Sequence, residues 1–151
     1  MKTLESKPDR DSIARRISAL AAADRRQWGK MSVEQMVCHL CDSYRVALGE
    51  KAVTPATGFF QRTVMKWFAL RAPMQWPRGV KTGPEVEQGV GGTPPVEFER
   101  DRAMLIVVFD RFCEPSANLA PAHPFFGPMS REEWLRWGYL HADHHLRQFG
   151  R

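Results

Sequence analysis

The most constraining feature of this sequence is a pair of helix starts that it specifies locally. Each is a capping box, in which a serine precedes a glutamine or glutamate by three positions: Ser32 with Gln35, and Ser130 with Glu133. In such a box each side chain accepts a hydrogen bond from the other residue's backbone amide, which stabilises the first helical turn. The boxes predict one helix over residues 33–48, ending at Gly49, and another over residues 131–149.

Apolar residues at helical spacing predict three further helices. The first is an Ala-rich segment, residues 12–23. The second is an apolar stripe formed by Phe60, Val64, Trp67 and Phe68. The third, residues 96–112, follows Pro95, a residue suited to the first turn of a helix. Within the last of them, residues 104–109 (MLIVVF) would by themselves fit a buried strand. We favour a helix because charged residues flank them at helical intervals and no second strand is predicted.

Residues 72–95 contain five prolines, beginning at Pro73, and five glycines. This density predicts a long loop, and a loop of that length in a small domain is usually functional or mobile. Five helices without a convincing strand predict the all-α class. The expected architecture is one domain over residues 1–151, a four-helix bundle with an extra short helix and the Pro/Gly-rich loop.

Composition narrows the classes of function. With 151 residues, 43% of them hydrophobic, the chain is expected to bury one core. It has neither an apolar run of the roughly 20 residues that span a bilayer nor the apolar stretch of a signal peptide, so we expect a cytoplasmic protein without a membrane partner. The net charge of +5 is spread along the chain, which argues against nucleic acid. Three cysteines, an odd number, argue against a disulfide framework.

The chemistry-bearing residues are concentrated near the C-terminus. His141 and His145 are four positions apart in the sequence HADHHLRQ and therefore lie one turn apart on the same helix face. That face also carries Trp134 and Gly138, so it points into the bundle, and we expect Gly138 to leave room for a ligand. Such a pair alone also fits two hydrogen-bonded histidines of a core.

A third histidine favours a metal site. His39 lies on the helix that begins after Ser32, beside that helix's apolar stripe, where it could meet His141 and His145 across the bundle. Three neutral imidazoles suit a borderline divalent ion such as zinc, nickel or iron, and they leave a coordination position open for water or substrate.

The neighbouring polar residues receive weaker predictions. His144 is rotated about 100° from the pair, so we expect it at the edge of the site, and Gln148 could orient a ligand imidazole or simply be polar at a helix end. His123, in a Pro-rich loop, fits a turn better than a fourth ligand. Cys38 and Cys41 flank His39 but point away from its face, which predicts small buried residues.

Two stretches carry a family resemblance, HPFFGPMSREEWLRWGYLHADHHLRQFGR and WGKMSVEQMVCHL. Over residues 28–151 the chain resembles the DinB/YfiT-like superfamily of candidate metalloenzymes, in a branch described as a domain of unknown function. The resemblance implies a four-helix bundle, often dimeric, in which His39, His141 and His145 surround zinc or nickel. The superfamily includes transferases and isomerases that use low-molecular-weight thiols, as well as hydrolase-like members. The loop at 72–95 departs from its pattern, so no substrate carries over.

Two functions follow from these observations. The first is a small metalloenzyme in which an ion bound by the three histidines acts as a Lewis acid for thiol transfer or hydrolysis of a small molecule. The second is a non-catalytic small-molecule-binding or stress-response module in which the metal is structural or absent, since only His144 and Asp42 are candidates for an acid or base. Exposed aromatic surface from Trp67, Phe68 and Trp76 predicts a homodimer.

Overall fold

A computed structural model describes residues 1–56, 58–72, 74–80 and 82–151, which are mostly helical. The helices are α1 (Lys7–Ser18), α2 (Val33–Ala47), α3 (Lys66–Arg71), α4 (Phe98–Cys113) and α5 (Arg131–Gln148). A π-helical turn, Gln61–Met65, leads directly into α3. Two short strands, β1 (Ala122–His123) and β2 (Gly127–Pro128), pair antiparallel. This agrees with the predicted all-α class, and the small ladder is an addition to it.

The core lies between the four longer helices. Helix α1 contacts α4 and α5, and α2 contacts the same two helices. Tyr44 of α2 is fully buried, with its ring 4.9 Å from that of Phe112 and 5.6 Å from that of Phe109. Its hydroxyl donates to the carbonyl of Gly138 at 3.1 Å, which offsets the cost of burying that hydroxyl. No helix of the described ranges is long and apolar enough to cross a membrane.

The helices with capping boxes begin where the sequence predicts. The Ser32 hydroxyl accepts from the Gln35 amide at 3.3 Å, and the Ser130 hydroxyl accepts from the Glu133 amide at 3.2 Å. The reciprocal bonds, at 3.0 and 2.9 Å, are also present. Each helix ends one residue earlier than predicted, and Gly49 adopts the left-handed conformation, with φ of 73°, just after α2.

The predicted bounds of α1 and α4 were wrong. Helix α1 covers Lys7–Ser18 rather than 12–23. It begins earlier because a proline lies in its first turn. It ends earlier because the Arg102 side chain donates to the carbonyls of Ser18 and Leu20. Helix α4 begins at Phe98, since the Glu97 carboxylate caps it by accepting from two backbone amides. Pro95 therefore lies outside the first turn. The MLIVVF segment is helical, as predicted.

The predicted apolar stripe around residues 60–68 is helical but faces outward. All four of its residues are exposed: Phe60, Val64, Trp67 and Phe68. The residue of α3 that is buried in the core is Leu70. Periodicity predicts a helix here, and the exposure of Trp67 and Phe68 agrees with the expectation that the core does not take up all of this aromatic surface.

The Pro/Gly-rich loop has turns and no helix or strand in its described residues; Pro73, on which part of that prediction rests, lies outside them. The loop is attached to α2 by a buried carboxylate. Asp42 accepts hydrogen bonds from the amide and hydroxyl of Thr93, both at 2.7 Å, and pairs with Lys51 at 2.8 Å. This contact fixes the end of the loop close to the histidine-bearing part of α2.

Candidate metal centre

Three histidines from two helices meet inside the protein. His39 of α2 is 2% exposed, and His141 and His145 of α5 are 8% and 9% exposed. One nitrogen from each ring lies within 4.8 Å of the other two, and the Nε2 atoms of His39 and His141 are 3.2 Å apart. Bonds of about 2.0 Å in a tetrahedral arrangement place ligand nitrogens about 3.3 Å apart. The group could therefore hold a metal ion.

The hydrogen bonds of Gln148 define the tautomer of His145. The Gln148 amide Nε2 donates to the carbonyl of Trp28 at 2.7 Å, so its oxygen faces His145 Nδ1 at 3.1 Å. Because that oxygen can only accept, Nδ1 must carry the proton. His145 Nε2 is therefore left with its lone pair free for an ion, which is the arrangement expected of a histidine ligand.

Gly29 allows Gln148 to reach the carbonyl of Trp28. A Cβ atom at position 29 would lie 2.2 Å from Gln148 Nε2, and the residue has φ of 82°, which disfavours other side chains. Sequence reasoning missed Trp28 and Gly29 as parts of the site. The carbonyl leaves no sequence signal, whereas the glycine in WGK was a signal that could have been used.

His39 is oriented by the long loop. Its Nδ1 lies 3.0 Å from the carbonyl oxygen of Val86, which can only accept, so Nδ1 carries the proton and Nε2 does not. The loop thus supplies a backbone partner for a site histidine, a contribution that the sequence did not indicate. Backbone oxygens commonly orient histidine ligands in this way.

His141 has the least satisfied environment of the three. Its Nδ1 is buried and has no hydrogen-bond partner among the residues that the structure describes. Its Nε2 faces the unprotonated Nε2 of His39, an arrangement that is favourable only with a proton or a cation between the two nitrogens. The rings of Trp137 and Trp76 pack against His141, with centroids 4.8 and 6.0 Å away.

Burial keeps the three imidazoles neutral. Desolvation lowers the pKa of His39 below its ordinary value and lowers the pKa of His141 and His145 well below it. Each ring at neutral pH therefore has one unprotonated nitrogen, which is the form that binds divalent metals. The donor set thus fits such an ion.

The other predicted residues lie outside this group. His144 is half-buried, with its ring centroid 5.1 Å from that of His145, and it lies between Trp28 and Trp76 at the edge of the site. His123 accepts hydrogen bonds at Nδ1 from the amides of Phe125 and Phe126, and burial lowers the pKa of its imidazole to about 4. It therefore stabilises a turn.

The cysteines and Gly138 also have structural explanations. Cys38 and Cys41 are buried and free, as predicted, and burial raises the pKa of their thiols to about 12 and about 11. The expectation that Gly138 leaves room for a ligand was wrong. A Cβ atom there would lie 2.6 Å from Phe112 and 3.1 Å from Leu4, so the space belongs to the core.

Of three comparisons with known proteins, one finds a match. No curated protein and no solved structure matches this chain. A sequence model of the family described as "Protein of unknown function (DUF1569)" matches residues 4–151, which include all three histidines and the residues that orient them. The chain therefore belongs to the DUF1569 family.

Proposed function

We propose that this protein is a metal-dependent enzyme of the DinB/YfiT-like superfamily, a four-helix bundle in which His39, His141 and His145 hold one divalent ion. The observation that carries the proposal is a buried group of three neutral imidazoles, two of which have their free Nε2 defined by hydrogen bonds at Nδ1. Within the described ranges, no carboxylate or thiol joins this group as a further ligand. The ion would therefore keep a position open for a reactant.

Neutral nitrogen ligands favour zinc or nickel, with iron or manganese as further candidates. When bound, such an ion lowers the pKa of a coordinated water or thiol and so provides a nucleophile at neutral pH. We propose a small-molecule substrate, with a low-molecular-weight thiol as one reactant, and either thiol transfer or hydrolysis as the reaction.

The chain's own residues prepare the site for such chemistry. Val86 and Gln148 orient two of the imidazoles, while Trp76 covers His141 on the side of the loop. Since the three histidines are between 2% and 9% exposed, electrostatic interactions inside the site are stronger than they would be at the surface.

The test is metal content, measured by elemental analysis of the purified protein. We expect about one equivalent in the wild type and a loss of most of it in His145→Ala. His144→Ala is the matched control, because it removes the neighbouring imidazole but none of the three proposed ligands, the triad of His39, His141 and His145, and it should retain wild-type stoichiometry. A folded His145→Ala protein that retains one equivalent of metal would contradict the proposal.

A non-catalytic binding module is the second candidate, and one observation favours it. Asp42 is fully buried with its oxygens already bonded to Lys51 and Thr93, so it is poorly placed to act as a general base. Of the two residues predicted as a general acid or base, Asp42 and His144, this leaves only His144, which is half-buried. Assaying thiols with electrophiles, using metal-loaded and metal-stripped protein, separates the two. Metal-dependent turnover supports the enzyme, whereas a chelator that lowers only the melting temperature supports the module.

We also propose that the protein forms a homodimer through the exposed aromatic face formed by α3 and the residues just before it. Phe59, Phe60, Trp67 and Phe68 are each more than half exposed within ten residues of sequence. An apolar patch of this kind is typical of an association surface.

A further inference from the structure

A groove of about 500 Å³ lies beside the histidine site, between the N-terminus, the residues after α3 and one face of α5. Its floor is a set of α5 side chains spaced by three or four positions, so that they share one helix face: Arg136, Tyr139, Leu140, Asp143 and Arg147. The volume is in the range of small-molecule sites. None of the three triad histidines lines it.

Arg136 is a half-buried cation without an anionic partner. Its Nε donates to the carbonyl of Leu70 at 3.0 Å and its Nη1 donates to the carbonyl of Lys2. No carboxylate of the described residues forms an ion pair with it. Because the guanidinium is partly removed from water, desolvation lowers its pKa. A desolvated cation is stabilised strongly by a hydrogen-bonded anion.

The remaining polar groups of the groove also favour an anion. Asp143, the one carboxylate that lines it, already pairs through one oxygen with Arg16 at 2.8 Å and through the other with Arg147 at 2.9 Å. The Tyr139 hydroxyl has no hydrogen-bond partner in the described part of the chain and can donate one. The groove thus presents free donors, while its negative charge is neutralised.

The groove also has an apolar wall, and that wall is shared with the histidine site. Trp76 lines the groove, and its ring is tilted by 33° relative to that of His141, 6.0 Å away. The Trp76 indole donates to the carbonyl of Ala69 at 2.7 Å, which holds the ring in place. Leu140 adds apolar surface next to His141 on the same helix.

We propose that this groove binds a small organic carboxylate, whose anionic group is held by Arg136 and Tyr139 and whose apolar part lies against Trp76. That this ligand is the substrate rests on the proposed function. Binding itself requires no metal, because every contact that recognises the carboxylate comes from side chains outside the triad.

The experiment uses 4-phenylbutanoate and its neutral counterpart 4-phenylbutanamide as probes of metal-stripped protein. The chain has five tryptophans, so NMR resolves a small set of indole N–H signals, and Trp76→Phe assigns the one of interest. We expect the carboxylate to shift the Trp76 signal saturably and the amide to bind at least tenfold more weakly. Equal affinities of the two probes, or no change at the Trp76 signal, would overturn the proposal.

Variants identify the donors. Arg136→Gln should weaken carboxylate binding about tenfold, the usual effect of losing a charge-assisted hydrogen bond. Tyr139→Phe, which removes only a free hydroxyl and keeps the ring, should weaken it several-fold and covers the case in which Arg136→Gln does not fold. Arg45→Gln, on α2 away from the groove, removes the same charge and should leave affinity unchanged.

These results are independent of the metal proposal. If wild-type protein binds no metal while the carboxylate still binds through Arg136, the proposed function falls and the groove stands. If metal binds at the triad but Tyr139→Phe and Arg136→Gln both bind the carboxylate like the wild type, the groove assignment alone is overturned.

Discussion

Helix α5 and the 61–71 segment both show an apolar stripe in the sequence, but only one of them buries it. Nine residues of α5 are buried, including two histidines, whereas Leu70 is the one residue buried in the π-helical turn and α3. Helix α5 starts at a full capping box, whereas the 61–71 segment has half of one, in which the Gln61 side chain accepts from the Gly58 amide at 3.2 Å. Periodicity therefore identifies a helix with an apolar side, while tertiary packing decides whether that side meets the core.

The largest expected effect tests how tightly α5 is packed. Gly138→Ala should destabilise the fold by about 2–3 kcal/mol, because the new methyl group would lie 2.6 Å from the buried ring of Phe112. Chemical denaturation measures this change. Combining it with Phe112→Leu, which removes the ring that is struck, should give less destabilisation than the sum of the two single variants. Strict additivity would show that the clash is relieved elsewhere.

At the buried C-terminal end of α5, Gln148 is expected to orient His145 for metal binding. Gln148→Met keeps the side-chain length but removes the oxygen that orients His145, so metal affinity should fall about tenfold, or about 1.4 kcal/mol. Competition with a chromogenic chelator measures the affinity. Gln61→Met, in the π-helical turn of the other segment, is the matched control and should bind metal like the wild type. If both variants bind metal with equal affinity, Gln148 does not orient His145 for metal binding.

The start of α5 provides a smaller effect. Ser130→Ala removes the hydroxyl that accepts from the Glu133 amide and should cost about 1 kcal/mol of unfolding free energy. Thermal or urea unfolding detects a change of this size. Ser116→Ala, in the loop after α4, serves as the control and should change stability by less than about 0.5 kcal/mol. If the two variants were equally stable, the capping box would be dispensable.

Much of the fold was predictable because its determinants are local. Capping boxes at Ser32 and Ser130 depend on residues three positions apart, and both were predicted correctly. The bounds of α1 and α4 were wrong because distant or competing groups decide them. Arg102 binds carbonyls at the end of α1, from more than 80 positions away, and the Glu97 carboxylate caps α4.

The three histidines of the candidate site could be predicted from the sequence, but the groups that orient them through hydrogen bonds could not. Helical spacing places His141 and His145 on one face, and the structure brings His39 to them. His39 depends on the carbonyl of Val86, and Gln148, the partner of His145, depends on the carbonyl of Trp28. Every residue has a backbone carbonyl, so no sequence pattern marks these two. Metal ligation itself stays a prediction, as does the orienting role of Gln148.

The smallest expected effect on stability comes from the exposed stripe. Trp67 is 58% exposed, so Trp67→Ser should change the unfolding free energy of the dilute protein by less than about 0.5 kcal/mol. Val107→Ser, on the exposed side of α4, is the control. If the stripe forms a dimer interface, light scattering should show that Trp67→Ser shifts a wild-type dimer to monomer while Val107→Ser does not. A loss of about 2 kcal/mol in dilute Trp67→Ser would instead mean that this stripe packs within the chain, and the contrast with α5 would no longer hold.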